Sequence, residues 1–198
     1  MIRCFVFTSL TTFSLCGQIL DDFSDGNFTE NPPWYGSHQD FEITSDKELH
    51  LNAASENASS FLMLKNNLIE NTSWEISLKL EFNPSSSNYL DWFLLTNDSI
   101  DKSQSNGYFV RVGDVEDDVS LWRKQNQELT KIIDGLNDRV DINPVDIRIK
   151  AERLYGGNWS LWVDVLDGNG WVLEGAVQDH EINLAKFSGL LCKYTSTR

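Results

Sequence analysis

The sequence predicts an all-β domain built as a two-sheet antiparallel jelly roll. Residues 145–177 carry the clearest sign, because three runs of alternating apolar and polar residues follow one another with only tight turns between them. Strands that bury one face have this period of two. Similar short runs, separated by Gly, Asn, Ser and Pro, occupy most of the chain, and no helical period of useful length interrupts them. With seven tryptophans for a core, this spacing favours a sandwich over alternating strands and helices.

The three consecutive runs are joined by residues that favour turns. Residues 145–152 and 159–165 each alternate regularly, and the glycines of 155–158 between them tolerate positive φ. Residues 167–170 read Asp-Gly-Asn-Gly and lead into the apolar run 171–173. Asp-Gly or Asn-Gly between apolar runs is a strong hairpin signal, so we expect an antiparallel meander.

The remaining strands are predicted from shorter runs. In 74–82 every second residue is apolar, which predicts one buried face and one face in water. Residues 178–185 form the only segment with weak helical character, and 187–194 are expected to be the last strand present. The strand candidates before the meander are 41–43, 48–52, 59–64, 74–82, 88–95, 107–112, 118–124 and 129–134.

The composition limits the classes of partner. Sixteen Lys and Arg stand against thirty Asp and Glu, which gives a formal net charge of -14. Because such a surface repels phosphate backbones and anionic membranes, we expect no nucleic-acid partner. The charge is compatible with calcium sites, although a solvated acidic surface is the commoner explanation. At 198 residues the chain fits one domain with a core between two sheets.

The first residues are typical of a secretory leader. Residues 1–17 contain one basic residue, a short apolar stretch and then small residues, which is the layout of a signal peptide. The stretch is too short to span a bilayer. Its removal would take away Cys4 and Cys16, leaving Cys192 as a buried small hydrophobe and no disulfide framework. We therefore expect an exported protein, secreted or at the cell surface, without a transmembrane segment after leader removal, whose domain comprises residues 18–198.

A candidate binding patch follows from the strand alternation. The pattern of residues 118–124 places Trp122 on an outward face beside Arg111 of the preceding strand. Tyr89 and Asp91 occupy outward positions one strand earlier. Aromatic rings beside polar groups on a concave sheet can stack on sugars and bond their hydroxyls, so these four residues are the predicted ligand patch. The alternative is that they pack beneath loops, since the tryptophans of a sandwich lie mostly in its core.

Several segments resemble a known family. The segments DDFSDGNFTENPPWYG, FNPSSSNYL, GYFVRVG, VSLWRK and FSGLLCKYTSTR, together with residues 153–164, resemble the concanavalin A-like lectin/glucanase domain of secreted Bacteroidota surface proteins, found ahead of lamin-tail or sorting domains. The resemblance covers nearly the whole chain after the leader. It implies a concanavalin A-like jelly roll with one further strand beyond residue 198. The domain is therefore expected to be C-terminally incomplete, without the strand that would pair with the region around Asp22 and Phe23.

The resemblance also bears on metals and catalysis. Family members often join their first and last strands with calcium, which makes Asp21, Asp22 and Asp25 the candidate metal ligands. Related glucanases carry a Glu-x-Asp-x-Glu strand, whose alternation puts the carboxylates on one face. That motif is absent here, and the acidic residues 114–118 follow a glycine at a predicted turn. A solvated turn is the favoured interpretation of this segment.

The sequence thus favours a non-catalytic binding or adhesion module acting outside the cell, with glycan as the ligand class. The enzyme alternative is a degenerate, laminarinase-like glycoside hydrolase, and a third interpretation is a structural spacer in a larger surface protein. If the last strand is missing, the strand that it should pair with has an open edge, through which chains could associate.

Overall fold

Two antiparallel sheets of seven strands each form the protein, which confirms the predicted all-β sandwich. The computed structural model describes residues 2–5, 19–98 and 104–196. The first sheet has the order β13-β12-β11-β6-β1-β4-β3 and the second the order β10-β9-β8-β7-β14-β5-β2. The strands are β1 Ile2–Phe5, β2 Tyr35–Gly36, β3 Phe41–Ile43, β4 Leu49–Leu51, β5 Ala58–Lys65, β6 Thr72–Leu80, β7 Tyr89–Thr96, β8 Gly107–Gly113, β9 Asp118–Gln125, β10 Glu128–Ile133, β11 Val145–Leu154, β12 Asn158–Asp164, β13 Val172–Gln178 and β14 Phe187–Tyr194.

The core lies between the two sheets and follows the alternation read from the sequence. Along β11, Ile147, Ile149 and Ala151 are fully buried while the residues between them are exposed or half-buried. Trp159 of the first sheet meets Tyr108 of the second, with ring centroids 4.8 Å apart. Contacts of this kind across the layers make the sheets one packed unit. Apart from a 3-10 turn at His38–Asp40, the described residues contain no helix, and so none that could cross a bilayer.

The segment predicted to be a leader contributes a strand. The backbone of β1 pairs with β6 from Ile2 opposite Leu78 to Phe5 opposite Glu75, and it also pairs with Leu49 of β4. It therefore fills the position between β4 and β6 in the first sheet. The side chains of residues 2–5 and all of residues 6–18, which include Cys16, lie outside the described residues. Leader cleavage stays a prediction, and it would remove this strand.

The expected strand beyond residue 198, and its pairing with the region around Asp22 and Phe23, also stay predictions. Asp22 and Phe23 lie in no strand and begin a loop. Phe23 is nevertheless fully buried, and its ring centroid lies 6.2 Å from that of Trp34. This loop is therefore packed onto the core instead of lying free at a sheet edge.

The weak helical prediction for residues 178–185 is wrong. The chain leaves β13 at Gln178 and continues without regular structure. Asp179 explains this, because its carboxylate accepts hydrogen bonds from the Tyr108 hydroxyl and from Arg123 of the second sheet. Burial, and next the hydrogen bond to Asp179, raise the pKa of Tyr108 well above its usual value. Tertiary contacts of this kind override a weak local propensity.

Candidate functional site

The four residues of the predicted ligand patch meet on the outward face of the second sheet. Asp91 of β7 lies directly opposite Arg111 of β8, which in turn lies opposite Ser120 of β9. Tyr89 precedes Asp91 by two residues on β7, and Trp122 follows Ser120 by two residues on β9. Because side chains alternate along a strand, both point to the same outward face as Asp91 and Arg111. We call these four residues, Tyr89, Asp91, Arg111 and Trp122, the sheet-face patch.

Arg111 holds the sheet-face patch together. Its Nε and Nη2 donate to the two carboxylate oxygens of Asp91 at 2.7 and 3.0 Å, and its Nη1 donates to Asp114 at 2.8 Å. Its guanidinium carbon lies 4.1 Å from the ring centroid of Tyr89 and 5.5 Å from that of Trp122. Burial alone would lower the pKa of Arg111, but the hydrogen bonds and charge of Asp91 more than offset it and raise this pKa. Arg111 is therefore a fixed cation that positions both rings.

The patch is less exposed than the sequence suggested. Asp91 and Arg111 are buried, and Tyr89 and Trp122 are half-buried. The indole N–H of Trp122 is also buried and has no acceptor among the described residues. The charges of Asp91 and Arg111 satisfy one another. Lys193 lies 5.1 Å from the Tyr89 ring centroid and Lys131 lies 5.4 Å from that of Trp122, so a ligand would contact the exposed parts of the two rings together with these ammonium groups.

An aromatic cluster that sequence reasoning missed lies beside the patch. Phe93 and Phe109 are buried on this outward face, with ring centroids 5.2 Å apart, and Phe109 stacks on Trp122 at 6.4 Å. Met63 and Leu191 complete the cluster. The available signal was the outward position of Phe93 in the alternation of β7. An apolar residue there indicates that this face is not simply solvated.

A pocket of about 350 Å³ opens over this cluster and over Asp91 and Arg111 of the sheet-face patch, while Tyr89 and Trp122 lie outside its lining. Its volume is within the range of small-ligand sites. Its buried lining combines apolar side chains with the ion-paired Asp91 and Arg111, and Lys124 at its edge donates to Ser105 at 3.4 Å. This combination suits a ligand with both apolar C–H faces and hydroxyl groups. The lining residues are Asp91, Phe93, Phe109, Arg111, Lys124, Gln127, Leu129 and Leu191.

The three aspartates predicted to be metal ligands, Asp21, Asp22 and Asp25, accept hydrogen bonds from residues of their own loop. Asp21 accepts hydrogen bonds from the Trp34 indole at 2.7 Å and from a backbone N–H, and burial raises its pKa. Asp22 and Asp25 each accept a backbone N–H two residues further along. The structure does not bring the three together as a ligand cluster. Calcium at this loop stays a prediction.

A different acidic group has the spacing of a metal site. Glu116, Asp118 and Asp134 have ligand atoms within 4.8 Å of one another, in the one such group among the described residues. Lys131 Nζ lies at its centre, 2.5, 3.0 and 2.6 Å from the three carboxylates in that order. Burial alone would lower the pKa of Lys131, but these hydrogen bonds raise it. The Lys131 ammonium thus occupies the position that a metal ion would take between these carboxylates. This arrangement does not fit a bound calcium ion.

The comparisons with known proteins agree with the fold. No protein-family model matches the chain, and no curated protein matches it. Among solved structures, it is similar to the carbohydrate binding module CBM66 from Bacillus subtilis, with 16% identity and a TM-score of 0.55 over 81% of this chain and 87% of that one. It is also similar to the VIP36 exoplasmic/lumenal domain in its Ca2+/Man3GlcNAc-bound form, with 12% identity and a TM-score of 0.61 over 82% of this chain and 76% of that one. At such identities the likeness shows the jelly-roll fold alone.

Proposed function

We propose that this chain is a non-catalytic glycan-binding module of an exported protein, acting in secreted form or at the cell surface. The sheet-face patch and the pocket beside it form the binding site. Tyr89 and Trp122 provide the stacking surfaces, while Lys124 and Gln127 provide hydrogen-bonding groups on the rim. Asp91 and Arg111 act as positioning residues.

The observation that carries this proposal is the fixed arrangement of rings around Arg111. A guanidinium held by three hydrogen bonds to two carboxylates cannot rotate freely, so the rings on either side of it are preorganised. Preorganised aromatic surfaces bind at a low entropic cost. The similarity in fold to a carbohydrate binding module and to a domain solved with an oligosaccharide supports glycan as the ligand class.

The absence of catalysis is proposed because the carboxylates of this face are already engaged. Asp91 is bound to Arg111, while Asp118 accepts hydrogen bonds from Ser120 and Lys131. A glycosidase needs one carboxylic acid and one carboxylate facing the scissile bond across a few ångströms. We expect no reducing-sugar release from β-glucans, beyond that of a Glu116→Gln control.

Binding is tested by glycan-array screening, followed by titration of the best ligand against variants. Trp122→Ala and Tyr89→Ala should each weaken binding about tenfold or more, as expected for an aromatic anchor. Trp171→Ala is the matched control, because Trp171 is half-buried against Arg148 on the other sheet. Equal loss in the Trp171 variant, or unchanged affinity in both patch variants, would contradict the assignment. A chain that binds no glycan would fit the spacer interpretation instead.

A further inference from the structure

A second pocket lies at one end of the sandwich, away from the sheet-face patch. It has a volume of about 590 Å³ and is formed by the last residue of β13 and by three connections, those between β5 and β6, β11 and β12, and β13 and β14. None of these connections contributes to the sheet-face patch. The lining residues are Ile69, Glu70, Tyr155, Gly156, Gln178, His180 and Asn183.

Tyr155 presents its side chain to solvent from a rigid turn. The residue is 79% exposed, although its backbone N–H donates to Asn71 and its carbonyl accepts from Asn158. The carbonyl of the next residue, Gly156, accepts from Gln178. At Gly157, φ is +74° and an added Cβ would lie 2.4 Å from the carbonyl oxygen of Asp179. Folding thus fixes this turn from several sides while the Tyr155 ring stays in water, where a ligand can reach it.

Arg153 builds the wall behind the pocket. It is fully buried, and its guanidinium donates to the Ile69 carbonyl at 3.4 Å and to the Asn183 side chain at 3.0 Å. It thereby ties together two of the three connections that line the pocket. Its guanidinium carbon also lies 5.3 Å from the ring centroid of Tyr108 and 5.2 Å from that of Trp159, in the core. The pocket is therefore anchored to the two sheets and does not depend on loose loops.

The groups facing the pocket favour a neutral, polyhydroxylated ligand. Within the described part of the chain, the Glu70 carboxylate, the His180 ring and the Tyr155 hydroxyl make no hydrogen bond, so both donors and acceptors are available. Glu70 lines the pocket whereas Arg153 is fully buried, so an anionic sugar would meet the Glu70 carboxylate first. A sugar ring could stack on Tyr155 and bond these groups through its hydroxyls.

We propose that the pocket at Tyr155 is a second binding site for neutral glycans, which makes this chain bivalent. This inference rests on the proposed glycan-binding function but uses residues separate from the sheet-face patch. Two sites on one rigid domain can engage one polysaccharide at once. Such bivalence raises retention on polymers more than affinity for short oligosaccharides.

Affinity electrophoresis of the full chain tests this inference, in native gels cast with laminarin, mannan, galactan or xylan. Polygalacturonate serves as the acidic comparison. The variants are Tyr155→Ala, Tyr155→Phe, Trp122→Ala and the double alanine variant, with Tyr35→Ala as the matched control because Tyr35 is also exposed but lies on an edge strand away from both pockets. We expect Tyr155→Ala to weaken retention about tenfold, Tyr155→Phe to retain most of it, and the double variant to abolish it.

The outcomes separate this inference from the function on which it rests. Retention that is lost in Trp122→Ala but unchanged in Tyr155→Ala would overturn the second site and leave the sheet-face patch standing. Retention lost in Tyr155→Ala alone would support the second site and overturn the sheet-face patch. Retention only on polygalacturonate would overturn the neutral ligand class. No retention of the wild-type chain on any polymer would overturn both proposals.

Discussion

Breaking the ion pair between Arg111 and Asp91 should be one of the most costly single changes on the outward face. The Asp91 side chain is only 8% exposed, so Arg111→Met would leave a carboxylate buried without its partner. Removing one member of a buried pair costs about 3–5 kcal/mol. That is a large part of the roughly 5–15 kcal/mol that stabilises a typical domain. Urea denaturation followed by tryptophan fluorescence at neutral pH would measure the loss.

Two further variants decide whether the unpaired charge is the cause. Asp91→Leu combined with Arg111→Met removes both charges and should recover most of the lost stability, because apolar pairs often replace buried ion pairs without cost. Asp114→Asn should cost less than about 1 kcal/mol, since the Asp114 side chain is 26% exposed and solvent screens its charge. A loss below about 1 kcal/mol for Arg111→Met, or a double variant no more stable than the single one, would refute this reasoning.

Three other predictions concern separate parts of the fold. Lys131→Gln should create a calcium response at Glu116, Asp118 and Asp134, since these carboxylates lose their internal cation; calcium should raise the melting temperature of this variant by more than that of the wild type, and equal shifts in both would contradict this. Gly189→Ala should cost about 2 kcal/mol or more, because an added Cβ would lie 2.2 Å from the Leu62 carbonyl oxygen; an unchanged urea midpoint would count against it. Deleting residues 1–17 removes β1 from between β4 and β6. The melting temperature should therefore fall, and size-exclusion chromatography should show association of chains through the unpaired strand edges. A variant that is monomeric and as stable as the full chain would contradict this prediction.

The strands could be predicted because their signal is local. Alternation along 145–152 and 74–82 depends only on which residues face the core, and the structure follows it closely in β11 and β6. The predicted sheet-face patch also came together, because β7, β8 and β9 are consecutive and pair with their neighbours. Local pattern and tertiary packing agree in these elements.

The pockets and the acidic group could not be predicted from the same signal. The pocket at Tyr155 needs Ile69 and Asn183, which are far apart in the sequence and meet only after the sheets pack. Lys131 reaches three carboxylates because the hairpin register places it opposite Trp122. Register and loop contacts of this kind depend on the whole fold, which the pattern of one segment does not specify.

Strand β8 has a consequence for how the protein selects its strand alignment. All seven of its residues are buried, with Tyr108, Val110 and Val112 toward the core and Phe109 and Arg111 on the opposite face. A strand with apolar residues on both faces loses little hydrophobic burial if it slips by one position, so apart from Arg111 its residue pattern specifies the register weakly. The glycines at its ends supply the missing constraint: a Cβ on Gly107 would lie 2.3 Å from the Leu95 carbonyl oxygen, and Gly113 has a φ of +101°. A slipped strand would place side chains at both positions. The two glycines thus prevent a misaligned sheet in which Arg111 would point into the core.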